Sequence, residues 1–204
     1  MIPIALRPVT PADSEFCFQL HKAAMGAYVA AIWGWDDDVQ RDFHHCAFAP
    51  DRWQVITAGG ADAGLLIVEY RPAEVYLARI EIHPDYQGRG IGAHVIRQLT
   101  GEARQRGQHL VLDVLTVNHR AQAFYRRHGF REASGPGDSD NKIRMTSPAA
   151  RPPPGARRRP TRGAPPRGPA RDRTGRAAGP SLRRRGARPS SARNAVRPWP
   201  IPRG

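Results

Sequence analysis

Residues 83–92 read HPDYQGRGIG, and glycine occupies every second position from 88 to 92. Glycine accepts positive φ angles and lets a ligand approach the main chain closely. The segment follows an apolar stretch that predicts a strand ending at Ile82, and apolar residues at helical spacing run from Ile91 to Leu99. A strand, a glycine loop and a helix in that order place successive N–H groups at a helix N-terminus. Such a group of donors binds anions such as a pyrophosphate.

A dinucleotide-binding loop is the main alternative for this segment. The stretch from Gly88 to Ala93 matches G-x-G-x-x-[GA], and Asp113 stands 20 residues after Ala93, where a ribose-binding acid belongs. In a dinucleotide-binding domain, however, the strand runs directly into the first glycine, and the glycine loop lies near the start of the domain. Here HPDYQ intervenes after Ile82, and more than 80 residues precede the loop. We therefore favour a different anion-binding unit.

The segment up to residue 147 predicts alternating strands and helices. Thr10 followed by Pro11 marks a helix start, because threonine is a frequent N-cap and proline suits the first turn. The turn residues 59–62 predict a hairpin, and Gly107 predicts a helix end. The order predicts an α/β (α+β) fold in which helices flank a mixed sheet of about six strands. Strands are predicted near residues 2–9, 53–58, 64–70, 74–82 and 110–115, with one or two last strands at Phe130 and 143–145. Helices are predicted near 10–27, 36–46, 90–106 and 119–128.

The composition changes abruptly after Thr146. The chain has a formal net charge of +14, yet residues 1–147 carry 16 Lys and Arg against 17 Asp and Glu, whereas residues 148–204 carry 16 Arg against the single acid Asp172. The later segment also contains 13 of the 20 prolines. With so little to bury, it is predicted to be a disordered tail of 148–204 behind a folded domain of 1–147.

An Arg-rich tail attracts nucleic acid and other anionic surfaces. This tail has no lysine, tyrosine or phenylalanine, and its Arg, Pro, Gly and Ala are the residues of GC-rich codons. We therefore favour an unselected composition and keep nucleic-acid binding as the alternative.

The two cysteines, Cys17 and Cys46, form neither a CxxC pair nor a metal-ligand spacing, so we expect no disulfide scaffold and no metal site. We predict both to be buried small residues of a reduced, cytoplasmic protein. His44 and His45 beside Cys46 form one local cluster without a distant partner, which is weak support for a metal.

With no apolar stretch of about 18 residues, neither a membrane span nor a signal peptide is expected.

Two blocks, Ile80–Gly92 and Asn118–Phe130, carry a family resemblance. The first is similar to the acyl-CoA signature of the GNAT superfamily of N-acetyltransferases, a strand and a proline followed by [Q/R]-x-x-G-x-[G/A] and a helix. Gln87, Gly90 and Gly92 occupy its fixed positions. The second resembles the family's N-x-x-A-x-x-[L/F]-Y-x-x-x-G-F ending. The two blocks together make the resemblance specific.

The resemblance implies the GNAT fold, acetyl-CoA as co-substrate and no metal. It further implies that the main chain around Glu81 pairs with the pantetheine arm and that the Asn118 side chain contacts the cofactor. Asn118 is also a candidate helix N-cap, and Arg89 either adds charge at the loop rim or is solvated. The predicted cofactor-binding residues are Ile80, Ile82, Gln87, Gly88, Arg89, Gly90, Ile91, Gly92, Ala93, Asn118 and Tyr125.

The resemblance also implies an enzyme that moves the acetyl group directly from the thioester to a primary amine within a ternary complex. No catalytic cysteine is then needed. It places Tyr125 close to the CoA sulfur, where a phenol can protonate a leaving thiolate. The alternative for Tyr125 is a core aromatic residue on an amphipathic helix.

Two carboxylates are candidates for the base. Glu81 is directed by strand alternation away from its two isoleucine neighbours, and family members often use a glutamate on this strand. Asp113 lies in the next strand, where some relatives carry the longer glutamate. A water chain without a single base is a third interpretation. The structural alternative for either carboxylate is an ion pair, for instance with Arg79 or Arg97.

The acceptor side carries aromatic residues beside acids, which suits a cationic amine. Tyr28, Trp33 and Trp35, with Glu81, are the candidate substrate-binding residues, and a packed helix pair with an acidic cap is the alternative. The expected acceptor is a small-molecule or peptide amine, and a homodimer is among the expectations because dimers are frequent in the superfamily. A second hypothesis is a non-catalytic acyl-CoA or nucleic-acid binding protein that uses the tail.

Overall fold

The computed structural model describes residues 2–134 and 140–148. The prediction of a disordered tail, and the alternative that this tail binds nucleic acid, concern residues that, apart from Pro148, lie outside this part of the chain. The described residues form a seven-stranded sheet in the order β1-β2-β3-β4-β5-β7-β6. β4 and β5 are parallel, and all other neighbours are antiparallel. The strands are β1 (Ile4–Pro8), β2 (Trp53–Ala58), β3 (Ala61–Tyr70), β4 (Glu74–Ile82), β5 (His109–Leu115), β6 (Arg131–Glu132) and β7 (Lys142–Thr146).

Four helices cover the two faces of the sheet: α1 (Ser14–Trp33), α2 (Asp37–Ala47), α3 (Ile91–Gln105) and α4 (His119–Arg127). On one face α3 and α4 bury their apolar side chains against the strands, with Ile91, Val95, Ile96, Leu99 and Tyr125 in one core cluster with Leu66, Leu77, Leu112 and Met145. On the other face α1 packs over β2 and β3, where Cys17 and Leu20 meet Trp53, Val55, Leu65 and Ile67. The sheet is therefore the middle layer of three.

Short polar side chains near the helix N-termini accept hydrogen bonds from main-chain N–H groups. Asp36 caps α2, because its Oδ1 accepts from the N–H groups of Asp38 and Val39 at 3.0 Å each. Asp13 reaches back to accept from the Thr10 main-chain N–H at 2.7 Å. Thr10 and Pro11 thus begin a single 3₁₀ turn, Pro11–Asp13, before α1 starts.

His44 joins α2 to the body of the protein and is 1% exposed. Its Nε2 lies 3.1 Å from the Ser14 hydroxyl, and its ring contacts those of Phe18, Phe48 and Trp53. Burial, aided by the charge of Arg79, lowers the pKa of His44 to about 4, so the ring is neutral at pH 7. This histidine therefore serves packing between helices.

Several sequence expectations are corrected by the structure. α1 continues to Trp33, beyond its predicted end near residue 27, and β3 begins at Ala61, inside the turn expected at 59–62. The sheet has seven described strands, in agreement with the predicted mixed sheet of about six strands. Cys17 is buried as predicted, but Cys46 is exposed on α2, so the prediction for Cys46 was wrong.

Gly64 of β3 lies close against β4. An added Cβ at Gly64 would overlap the Glu81 carbonyl oxygen and would lie 2.9 Å from Ile82 Cδ1. Gly64→Ala is therefore expected to lower the free energy of unfolding by about 1–3 kcal/mol, because a strand must shift. The measurement is urea unfolding, in which an unchanged m-value shows that the substitution has changed the stability of the protein.

Gly101 in α3 is the matched control, because a Cβ there meets no atom within 4 Å. Gly101→Ala is expected to raise the same free energy by about 0.5–1 kcal/mol, since alanine is the better helix former. If both substitutions changed the free energy of unfolding equally, the close approach of β3 to β4 at Gly64 would be contradicted.

Candidate active site

The two parallel strands of the sheet separate part of the way along their length. β4 and β5 pair from Glu74 with His109 to Leu77 with Leu112, while β4 pairs with β3 as far as Ile82. Beyond Leu77, no described strand pairs with the β5-facing edge of β4. We call the space between residues 78–82 of β4 and 113–115 of β5 the gap.

The main chain of β4 offers hydrogen-bonding groups to the gap. The His83 N–H donates to the Ala63 carbonyl at 2.9 Å, on the β3 side. Since successive residues of a strand direct their main-chain groups to alternate sides, Ile80 and Ile82 direct theirs into the gap. This is the arrangement needed for the predicted pairing with an extended ligand arm.

A bulge in β4 sets the directions of the side chains near the gap. Ile67 pairs with Arg79 while Val68 pairs with Leu77, so Ala78 is the extra residue. As a result Leu77 and Ile80 both pack with the α3 side of the core, whereas Glu81 lies on the α1 side. The expected opposition of Glu81 to its two isoleucine neighbours is therefore present in the structure.

The glycine loop lies at the wide end of the gap and is exposed. Gly88 and Gly90 have φ angles of 76° and 81°, in the left-handed region that favours glycine. Gly90 is the N-cap of α3 and supplies no side-chain cap, and a Cβ at either position meets no atom within 4 Å. The segment that leads into α3 is therefore free of side chains at 88 and 90 and has open space where a Cβ would lie. The structure thus fits the predicted anion-binding loop.

The flanking residues hold this loop in place. Gln87 donates through Nε2 to the Ile82 carbonyl at 2.8 Å and accepts from Arg120 at 2.6 Å. The Arg89 guanidinium lies 5.2 Å from the ring centre of Tyr86 and stays exposed. Ile91 is buried under the first turn of α3. Gln87 therefore connects the glycine loop to the end of β4.

α4 carries the other half of the predicted cofactor site. Asn118 caps this helix, because its Oδ1 accepts from the Ala121 N–H at 3.0 Å. Gly92 of α3 lies against Phe124, whose ring would be 3.5 Å from an added Cβ. Tyr125 is 7% exposed and packs beside Phe130, and burial raises its pKa. Tyr125 is therefore a protonated phenol at neutral pH.

Glu81 is paired inside the protein. Its Oε1 lies 2.7 Å from His21 Nδ1 and 3.7 Å from Arg79 Nε, and the His21 and Glu81 side chains are 5% and 4% exposed. Burial alone would raise the pKa of Glu81, but the charges of His21 and Arg79 outweigh burial and lower it. Glu81 Oε2 is buried and has no hydrogen-bond partner among the described residues.

Asp113 is the first residue of β5 beyond its last pair with β4, so it lies at the narrow end of the gap. Its Oδ2 accepts from the Tyr76 hydroxyl at 2.7 Å, and its Oδ1 lies 3.6 Å from Arg144 Nη1. Arg144 makes shorter contacts, of 3.0 and 2.8 Å, with the two oxygens of Glu74. Burial, together with the hydrogen bond to Asp113, raises the pKa of Tyr76.

The aromatic residues proposed for the acceptor lie on and after α1. Trp35 is close to the Glu81 pair, because its ring centre lies 6.0 Å from that of His21. Trp35 Nε1 donates to Asp37 at 2.6 Å, and Asp37 also accepts from Lys22 at 2.6 Å. Tyr28 and Trp33 are half-buried on α1. Trp35 is thus the acceptor-side candidate that the structure brings next to a candidate base.

Three polar residues of this region were not predicted as site residues: His21, Tyr76 and Arg144. His21 meets Glu81 across 60 positions and Tyr76 meets Asp113 across 37, so local spacing carries no signal for either contact. Within residues 2–134 and 140–148, no group of three or more His, Cys, Asp or Glu is arranged to hold a metal ion. No helix in that same part of the chain is long and apolar enough to span a membrane.

Comparisons with known proteins agree with this geometry. A model of the acetyltransferase (GNAT) family matches residues 15–130. N-alpha-acetyltransferase RimI of Mycobacterium tuberculosis is 31% identical over 139 residues, which are 63% of this chain and 79% of that protein. Thialysine N-epsilon-acetyltransferase of Bos taurus is 30% identical over 101 residues, 44% of this chain and 57% of that protein. The chain thus spans little more than half the length of the bovine relative.

Solved structures show the same fold at low sequence identity. The PaiA N-acetyltransferase of Thermoplasma acidophilum, crystallised with coenzyme A, superposes with a TM-score of 0.57 at 15% identity, covering 71% of this chain and 98% of that one. At this identity the likeness concerns the fold alone.

Proposed function

The chain belongs to the acetyltransferase (GNAT) family, a family of acyltransferase enzymes, and on that premise we propose that it moves an acetyl group from acetyl-CoA to a primary amine. The proposed transfer is direct, within a ternary complex of protein, acetyl-CoA and amine. The observation that carries the proposal is the N-terminal end of α3, with its side-chain-free Gly88 and Gly90, beside the gap between β4 and β5.

The residues around the gap fit acetyl-CoA. Its pyrophosphate suits the N–H groups and the positive end of the α3 dipole that follow Gly90. Its amide-bearing arm suits the main-chain groups that Ile80 and Ile82 direct into the gap, as an added strand. Bound acetyl-CoA supplies the acetyl group as a thioester. Asn118 and Tyr125 on α4 complete the proposed binding residues.

The chain's own groups must manage proton transfer at both the nitrogen and the sulfur. A cationic acceptor first loses one proton to become a neutral amine with a free electron pair. As the N–C bond then forms and the C–S bond breaks, a second proton leaves the nitrogen and one proton reaches the sulfur. Tyr125 is the proposed proton donor to the sulfur, since its buried phenol stays protonated at neutral pH. Glu81 and Asp113 are the proposed candidates for taking the amine proton.

The acceptor is proposed as a cationic primary amine on a peptide or a small molecule. RimI of M. tuberculosis is named for an α-amine and the bovine relative for an ε-amine, so both amine types are candidates here. Trp35, beside His21 and Asp37, offers an aromatic face next to acids, which suits an ammonium group.

The test is acetylation of a small amine panel by the full chain, with thiol release from acetyl-CoA as the readout. The panel contains a short peptide with a free α-amine, thialysine and lysine. We expect thiol release that depends on at least one amine, together with calorimetric binding of acetyl-CoA but not of NAD. Binding without transfer to any amine would favour a non-catalytic acyl-CoA binding protein, and absence of both would overturn the proposal.

A further inference from the structure

We propose that Arg120 binds the phosphate on the ribose of coenzyme A and is a specificity-determining residue of this protein. Coenzyme A is then bound more tightly than dephospho-coenzyme A, which lacks only that phosphate. This inference rests on the proposed function and deepens it, because it assigns a residue to the nucleotide end of the cofactor. It is carried by the contact that holds the Arg120 guanidinium beside the glycine loop, with Nη1 2.6 Å from Gln87 Oε1.

The Arg120 guanidinium is held in place by an uncharged group. Its described hydrogen bond goes to the amide of Gln87, the residue directly before Gly88. Gln87 in turn donates to the Ile82 carbonyl at 2.8 Å, so two hydrogen bonds in series link Arg120 to the end of β4. Within residues 2–134 and 140–148, Arg120 forms no ion pair, and its side chain is exposed. Its charge is therefore available to an anionic ligand.

The place of Arg120 in α4 is unfavourable for a cation. Asn118 is the N-cap of this helix, so Arg120 is its second residue. The positive end of the helix dipole favours acidic side chains at such a position, and α1 and α2 have acids in their first turns, Glu15 and Asp37 among them. The first turn of α4 has Arg120 and no acid. A bound anion would relieve the repulsion between Arg120 and the helix dipole.

The face of α4 that carries Arg120 is turned toward the start of α3. Arg120, Phe124 and His128 are four residues apart and share one face of the helix. The Phe124 ring would lie 3.5 Å from a Cβ at Gly92, in the first turn of α3, and Arg120 meets Gln87 just before the loop. The guanidinium therefore lies beside the segment 88–92 that is proposed for the pyrophosphate.

The phosphate groups of coenzyme A make different demands on a protein. The pyrophosphate is proposed to lie on the main-chain N–H groups that follow Gly90, where the helix dipole stabilises negative charge. The phosphate on the ribose is a terminal group that carries up to about two negative charges. A planar guanidinium can donate two parallel hydrogen bonds to such a group. Arg120 lies beside the loop on a different helix, and it therefore suits the phosphate that the loop does not hold.

Arg89 is the other exposed guanidinium at the glycine loop. It lies 5.2 Å from the ring centre of Tyr86, whereas Arg120 is fixed by a hydrogen bond of 2.6 Å. An arginine that is already held in place loses less conformational entropy when it binds a ligand. Arg120 is therefore the stronger candidate, and Arg89 is the comparison in the test.

The wider charge distribution favours an anion on the face of the sheet that α3 and α4 cover. Residues 88–131, which include the loop and both helices, carry eight Arg against Glu102 and Asp113. Residues 1–87 carry six Lys and Arg against twelve Asp and Glu. Such a segregation of charge attracts a polyanionic ligand toward the basic side.

The experiment is calorimetric titration of the full chain with coenzyme A and with dephospho-coenzyme A. The wild type is expected to bind coenzyme A about 10-fold more tightly, the scale of one charge-assisted contact. Arg120→Gln is expected to bind both compounds equally, because it loses affinity for coenzyme A alone, and Arg120→Lys is expected to keep part of the preference. The wild-type preference is also expected to shrink as salt is raised from about 0.05 M to about 0.5 M, since salt screens exposed charges.

Arg104→Gln is the matched control, because Arg104 is also exposed but lies in the last turn of α3, at the end opposite to the loop. It is expected to keep the wild-type preference. A preference that persists in Arg120→Gln overturns the inference, even if both affinities fall, because Arg120 would then act on a group that the two compounds share. A preference that is lost in Arg89→Gln and kept in Arg120→Gln overturns it as well.

The same titrations separate this inference from the proposed function. If the wild type binds neither compound, the proposed function is overturned, and this inference with it. If the wild type binds both compounds with equal affinity, this inference alone is overturned and the proposed function stands.

Discussion

Replacing Gly90 with aspartate is expected to weaken acetyl-CoA binding by at least about 100-fold, or about 2.7 kcal/mol. Gly90 is the N-cap of α3, at φ 81° and ψ 1°, and the site lies where the proposed pyrophosphate meets the helix. An aspartate there places a second anion at the same N–H groups. Calorimetric titration of acetyl-CoA into the full chain is the measurement.

The fold is expected to survive this substitution. Aspartate is among the favoured N-cap residues and, with asparagine, tolerates the left-handed region better than other side chains. A Cβ at Gly90 meets no atom within 4 Å. A loss of binding in Gly90→Asp can therefore be assigned to the ligand site, provided that the thermal midpoint stays within a few degrees of the wild type.

Two control variants separate the effect of the added charge from the effect of replacing a glycine. Gly90→Asn has the same shape without the charge and is expected to lose only about 10-fold in affinity. Gly107→Asp puts the same side chain on another left-handed glycine with free space around it, φ 68°, beyond the opposite end of α3. The helix separates the two positions by about 20 Å, so Gly107→Asp is expected to bind normally. Equal binding by Gly90→Asp and wild type would remove the loop from the cofactor site.

The local parts of the structure were accessible from sequence because their causes are local. β2 and β4 have the predicted bounds, 53–58 and 74–82, since apolar and β-branched residues there are bounded by turn residues. Glycines at 88 and 90 have the positive φ angles that their spacing indicated. The caps formed by Asp36 and Asn118 likewise depend on residues two or three positions away.

The active-site geometry depends on contacts that no local pattern encodes. The bulge at Ala78 follows from the pairing of β3 with β4, and it decides which face Glu81 occupies. Alternation alone oriented Glu81 correctly against its isoleucine neighbours, but only packing of α1 reveals that His21 encloses it. Tyr76 contacts Asp113 only because β5 lies beside β4. The sequence therefore identified candidate carboxylates, whereas the partners of each follow from tertiary contacts.

Tyr125→Phe is expected to lower kcat by about 100-fold, the smaller end of the range for a general acid. The substitution removes only the hydroxyl and keeps the ring that packs beside Phe124 and Phe130. Acetyl-CoA affinity is therefore expected to stay within about 2-fold, and stability within about 1 kcal/mol. Thiol release at saturating amine and calorimetry of acetyl-CoA are the two measurements.

The pH profile gives an independent check on this role. Because burial raises the pKa of Tyr125 above its ordinary value of about 10, the phenol stays protonated throughout an assay range of about pH 7 to 9.5. Wild-type kcat is therefore expected to show no basic limb from Tyr125 in that range, while Tyr125→Phe is slower by the same factor at every pH. Tyr86→Phe, at a half-buried position just before the glycine loop, controls for loss of a hydroxyl. Unchanged kcat in Tyr125→Phe would leave Tyr125 as a core aromatic residue and require another proton source at the sulfur.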